Sequence, residues 1–94
     1  AQARALFEAA RFNEGLAAAN LGVERAREGG FRPAEAEALL AKGRLERGAG
    51  DFRGAEATLR SAWLAAEAGR HEEVRARAWI ELVWVRGDGL GQYG

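Results

Sequence analysis

Laid over itself with a shift of forty positions, the chain brings Phe12 onto Phe52, Ala36 onto Ala76, Ala38 onto Ala78, Leu39 onto Trp79 and Leu40 onto Ile80. A shift of one position more carries Phe52 onto Tyr93. Each aromatic of that series ends a short turn-like stretch: Ala10-Arg11-Phe12, Gly50-Asp51-Phe52 and Gly91-Gln92-Tyr93. Apolar pattern, turn and aromatic recurring together mark a repeat architecture, in which one unit cannot bury its own apolar face and must stack on the next. The units run over residues 1–30, 31–70 and an incomplete 71–94. Stacking also suits the size, because 94 residues in one compact ball would bury only a modest share of their surface.

The repeated unit is helical. Between the breaks the chain is mostly Ala, Leu, Glu and Arg, all good helix formers. Phe52, Ala55, Leu59, Ala62, Trp63 and Ala66 recur at steps suited to one helix face, while Arg53, Glu56, Arg60 and Glu67 take the opposite face. Helices are predicted over 2–10, 13–28, 33–48, 52–68 and 72–86. Gly29-Gly30 and Gly69 offer the left-handed conformation that ends a helix, and Pro33 suits a first helical turn. Asn13 and Asp51 stand where N-caps are needed. Only 79–85 is rich in β-branched and aromatic residues, and it continues an Ala/Arg/Glu-rich start without a break, so it is read as helix. The expected fold class is all-α, with about five helices.

Composition removes several function classes. The chain has no Cys and no Met, so disulfides, thiolate zinc sites and cysteine nucleophiles are excluded. Fourteen Lys+Arg balance fourteen Asp+Glu, leaving no net field to draw in nucleic acid or anionic lipid. No apolar run reaches the roughly 20 residues that span a bilayer, and a cytoplasmic location is expected. The chain does not begin with Met and ends where another helix is about to start, so it is read as a piece of a longer protein. Lys42 is the single lysine, and the heavy use of Arg, Ala and Gly suggests a GC-rich bacterial gene.

The stretch Leu39-Leu40-Ala41-Lys42-Gly43, followed by Gly50-Asp51-Phe52 and then by Ala55, Leu59 and Ala62, resembles a tetratricopeptide repeat. In that family a small residue in the first helix admits the second helix closely, and a Gly-Asp-aromatic turn joins the two. Gly43, Gly50, Asp51, Phe52, Ala55, Leu59 and Ala62 match those roles, with Phe12 and Tyr93 as the aromatics of the flanking units. The chain departs from the family at Lys42 and Glu46, which could pair with each other on an exposed face. The spacing resembles the longer tetratricopeptide variant of kinesin light chains, and the tracts 34–40 and 79–85 look most like repeat regions that trail bacterial serine/threonine protein kinase domains. The resemblance implies antiparallel helix hairpins in a right-handed superhelical stack.

The same resemblance implies that the first helix of each pair lines a concave groove. The matching positions are Arg4, Phe7, Glu37, Leu40, Arg44, Arg47, Arg77, Ile80 and Trp84. Arg44 and Arg47 beside apolar residues would suit a peptide bearing carboxylates and an apolar anchor. The plainer reading is a solvated arginine face with Trp84 in the core. Trp63, Trp79 and Trp84 should mostly fill gaps left by the many alanines, yet nothing in the chain follows the last helix to cover its apolar side.

No catalytic constellation is legible. His71, the only histidine, precedes Glu72-Glu73 at a helix start and reads as an exposed turn residue rather than a metal ligand or base. Gly43, Gly48 and Gly50 lack the Lys-Ser/Thr ending and the preceding strand of a phosphate loop. Glu35, Glu37, Glu72 and Glu73 read as ordinary acidic residues near helix N-termini. The expectation is a non-enzymatic protein-interaction scaffold without cofactor or metal, part of a larger bacterial signalling protein. It would bind a peptide or a neighbouring domain and self-associate through the helix over 72–86. The rival expectation is a structural spacer or oligomerisation segment attached to an enzyme domain such as a serine/threonine kinase.

Overall fold

The computed structural model describes residues 2–89 and, among them, is all-helical. Four helices follow in order: α1 (Gln2–Gly29), α2 (Arg32–Gly48), α3 (Phe52–Gly69) and α4 (Glu72–Trp84), the last running into a wider π-type turn, Val85–Gly89. Each helix packs on the one before it, and α4 also reaches back to α2. Tyr93, expected to open a further unit, lies outside the described residues.

Three turns of one design join these helices. Gly30 (φ 69), Gly50 (φ 87) and Arg70 (φ 55) are left-handed. The next residue in each case donates its N–H to a carbonyl five residues back: Phe31 to Ala26 at 2.9 Å, Asp51 to Glu46 at 2.9 Å, and His71 to Ala66 at 2.8 Å. This closure satisfies carbonyls that a helix end would leave bare. The turns at Gly30 and Arg70 are separated by forty positions, the shift that aligns Phe12 with Phe52. Gly69 does not adopt the left-handed conformation expected of it; Arg70 does. Gly69 is small for another reason, since a Cβ there would lie 2.9 Å from Pro33 and from the Arg32 Cβ.

The predicted break between 10 and 13 does not occur, and the two helices expected over 2–10 and 13–28 are one. The cause is local. Where the central turn has Gly50 and Asp51, this stretch has Ala10 and Arg11, which lack both glycine's tolerance of positive φ and a capping oxygen. Asn13 is accordingly an exposed residue inside α1, not an N-cap, and Phe12 is a half-buried helix residue rather than the end of a turn. The longest dimension of the molecule, 43 Å, matches the 28 residues of α1 at about 1.5 Å each. Asp51 does cap α3, accepting a hydrogen bond from Gly54 N at 3.0 Å.

The core is built largely of small side chains, with Ala36, Ala55, Leu59, Ala62, Ala66, Ala78 and Val85 at its centre. Ala55, Leu59 and Ala62 are fully buried, and Phe52 packs partly buried beside them. Gly43 meets Leu59 so closely that a Cβ at 43 would lie 2.6 Å from Leu59 Cδ2. A shift of forty positions relates other contacts. Gly15 faces Leu45 and Gly22 faces Ala38 across α1 and α2, and one period later the same places hold Ala55, Val85, Ala62 and Ala78, all in the core. Glu35 is not an ordinary exposed acid: it is 7% exposed and held by Arg27 at 2.8 Å, an ion pair that ties α1 to α2.

Candidate functional site

The residues implied as groove-lining divide into three groups. Arg4 and Phe7 lie on the first turns of α1, in the stretch 3–11 where every residue is exposed. Arg4 pairs with Glu8 at 3.4 Å, and the Arg11 guanidinium stands 5.8 Å over the Phe7 ring. Leu40 is only 6% exposed and belongs to the core, because α2 is covered on that side. The rest lie on α2 and α4: Arg77 and Ile80 are exposed on α4, while Glu37, Arg44, Arg47 and Trp84 stand where the two helices approach each other.

There the structure supplies a group that spacing alone did not reveal. Glu81, from α4, accepts a hydrogen bond from Arg44 Nε at 3.0 Å on Oε2 and one from Arg47 Nη1 on Oε1. Its side chain is 12% exposed, while those of Arg44 and Arg47 are 42% and 40% exposed. The two arginines therefore already hold a carboxylate of their own chain. Further along, Glu37 Oε2 sits 2.8 Å from His71 Nε2, and His71 Nδ1 accepts from Val74 N at 3.5 Å as the N-cap of α4. His71 is thus a half-buried cap and cross-link rather than a free turn residue. Arg77 pairs along α4 with Glu73 at 3.3 Å. Arg47 and Trp84 do come together, lining a cleft of about 500 Å³ with Phe52 and Val85.

One detail of the helix pairs also differs from expectation. Among the described residues no ion pair joins Lys42 to Glu46, and Glu46 Oε1 is buried without a hydrogen-bond partner. Arg75, hydrogen-bonded to Glu67 at 2.8 Å, has its pKa raised above the usual arginine value, first by that bond and then by the Glu67 charge. The group stays protonated in either case.

The larger opportunity lies on α4 itself. Trp79, Ile80, Val83 and Trp84 are 55–60% exposed, whereas Val74, Ala78, Leu82 and Val85 on the opposite side are buried. The second half of this helix is apolar nearly all round, a pattern that elsewhere marks burial on both sides. Of the tryptophans expected in the core, only Trp63 packs there, partly buried. Trp63 and Leu64 of α3, with Trp79, Leu82 and Val83 of α4, line an apolar cleft of about 560 Å³ flanked by Arg60 and Arg86. Both arginines lean on Glu56, at 3.7 and 3.5 Å.

A shift of forty positions pairs this cleft with another. One period earlier, the places of Arg60, Trp63, Leu64, Trp79 and Leu82 are held by Asn20, Val23, Glu24, Leu39 and Lys42, and there Ala57, Thr58 and Ser61 of α3 form the third wall. Leu39 and Leu40 are 4% and 6% exposed, against 60% and 55% for their counterparts Trp79 and Ile80. Among the described residues nothing takes the place of α3 beside α4. Compared with known proteins, the chain matches no family model, no curated protein and no solved structure.

Proposed function

We propose that this chain is a protein-interaction module of the tetratricopeptide-like kind, and that it holds a helical segment of another protein, or of a neighbouring domain, against α4. The observation that carries this reading is the contrast between Leu39 and Leu40, buried under α3, and Trp79 and Ile80, which are mostly exposed. A contiguous apolar surface of this type on a soluble domain marks an interaction site. The incoming helix would lie where α3 lies on α2. Its contact residue must be smaller than Leu59, because α4 offers Val83 where α2 offers Gly43. Specificity for a small residue at the crossing, with apolar residues on either side, follows from that exchange. Self-association through α4 would use the same side chains and compete with the partner.

A second reading is favoured by Glu81, whose hold on Arg44 and Arg47 fills the α2–α4 groove from within. In it the groove binds nothing and the chain is a spacer between other domains, such as the kinase domain suggested by the resemblance. Selection from a displayed library of helical peptides separates the two. We expect enrichment of amphipathic helices with Ala or Gly at the central position, and binding weakened at least about tenfold by Trp79→Ala. Failure to enrich any helix, or binding indifferent to Trp79, would favour the spacer.

A further inference from the structure

We infer that two copies of this chain exchange their N-terminal segments, each inserting residues 3–7 into the cleft between α1 and α2 of the other. The cleft is about 700 Å³, mainly apolar, and lined by Glu8, Ala9 and Phe12 of α1 with Ala41, Arg44 and Leu45 of α2. Its later counterpart identifies what fills it. The cleft formed by Arg47, Phe52, Trp84 and Val85 maps, one period back, onto Phe7, Phe12, Arg44 and Leu45. Phe12, Arg44 and Leu45 are in place, but Phe7 is 62% exposed on the overhanging part of α1. The missing wall is therefore residue 7, with the helix that carries it.

The chain's own segment is poorly made to return. Folding back would need a turn at 10–11 like that at 50–51, where Gly50 takes φ 87 and Asp51 caps the next helix. Ala10 and Arg11 offer neither feature, so α1 runs straight and leaves Leu6 and Phe7 uncovered. A second copy satisfies the same contacts with no turn at all, which is the usual economy of exchanging an identical element between protomers.

The register follows from the central hairpin. Gly43 meets Leu59 around a turn centred on Asp51. One period earlier these positions are Ala3, Ala19 and Arg11. In the exchanged pair, Ala3 of one copy lies on Ala19 of the other, Leu6 lies against Leu16, and the two α1 helices run antiparallel about a two-fold axis near Arg11. The second copy's Phe7 then enters the cleft at Phe12 and Leu45.

The test uses the absence of native cysteine. Ala3→Cys and Ala19→Cys, introduced together and oxidised at micromolar concentration, are expected to give a disulfide between copies and a species of twice 10.1 kDa on a denaturing gel. A disulfide within one chain would show the segment folded back on its own helix, and no disulfide would show a straight helix or another interface; either result overturns the exchange. Sedimentation of the unmodified chain should show a dimer that Trp79→Ala leaves intact, which separates it from association through α4. Ala10→Gly with Arg11→Asp, which installs the central turn, should convert that dimer to a monomer, and a dimer unchanged by it would contradict the inference.

Discussion

Leu59 packs directly on the bare Cα of Gly43, leaving so little space that a Cβ there would lie 2.6 Å from Leu59 Cδ2 and 2.7 Å from its Cγ. Leu59 is fully buried and has nowhere to swing. This single crossing sets the distance between α2 and α3.

Gly43→Ala should therefore destabilise the chain although alanine is the better helix former. The propensity gain is about 1 kcal/mol, while overpacking costs about 1–3 kcal/mol. The urea midpoint is expected to fall, and Leu59→Val in the Gly43→Ala background should recover part of the loss. An unchanged midpoint would mean that the helices separate at no cost.

Arg70 tests the turn in the opposite direction. It holds φ 55, at the place in its turn that Gly30 takes forty positions earlier. A non-glycine residue there costs roughly 1 kcal/mol. Arg70→Gly is expected to raise the thermal midpoint, with the gain reduced by the greater freedom of glycine in the unfolded chain. A lower midpoint would assign the Arg70 side chain a stabilising role.

His71 joins the N-terminus of α4 to Glu37 of α2. His71→Ala removes both the cap and the link, at an expected cost of about 0.5–2 kcal/mol. Hydrogen exchange at the Val74 amide should accelerate more than exchange in α3. Uniform acceleration would show global destabilisation rather than loss of a cap.

Glu81 decides whether the arginines of α2 are available. Replacing it with Gln should lower stability by no more than about 1 kcal/mol, because Arg44 and Arg47 keep access to solvent and the pair is screened. The same substitution should create affinity for an acidic peptide that the unmodified chain lacks, and that affinity should weaken as salt rises. Equal binding before and after would place the acidic site elsewhere.

The helical fold and the turns at 30 and 50 were legible in the sequence, because glycine, Asp51 and apolar spacing act locally; the third turn was expected at Gly69, but its left-handed residue is Arg70, which no local preference announces. The continuous α1 ran against the expected break at 10–13, because the aromatic at Phe12 repeats Phe52 while Ala10-Arg11 lacks the turn chemistry of Gly50-Asp51. The groove was harder to read. Arg44 and Arg47 look like free cations along the chain, and only the approach of α4 to α2 brings Glu81 between them. Leu40 and Ile80 are matched in sequence but differ in burial, because exposure depends on whether a following helix is present.

The proposed docking face is tested most directly by the indole N–H resonances of the three tryptophans during titration with a selected helical peptide. Trp63 and Trp79 line the cleft between α3 and α4, whereas Trp84 lines the separate cleft beside Arg47. We expect Trp63 and Trp79 to shift to saturation while Trp84 stays near its starting position. Saturable binding that moves Trp84 and leaves Trp79 unchanged would place the partner in the α2–α4 groove and contradict docking on α4.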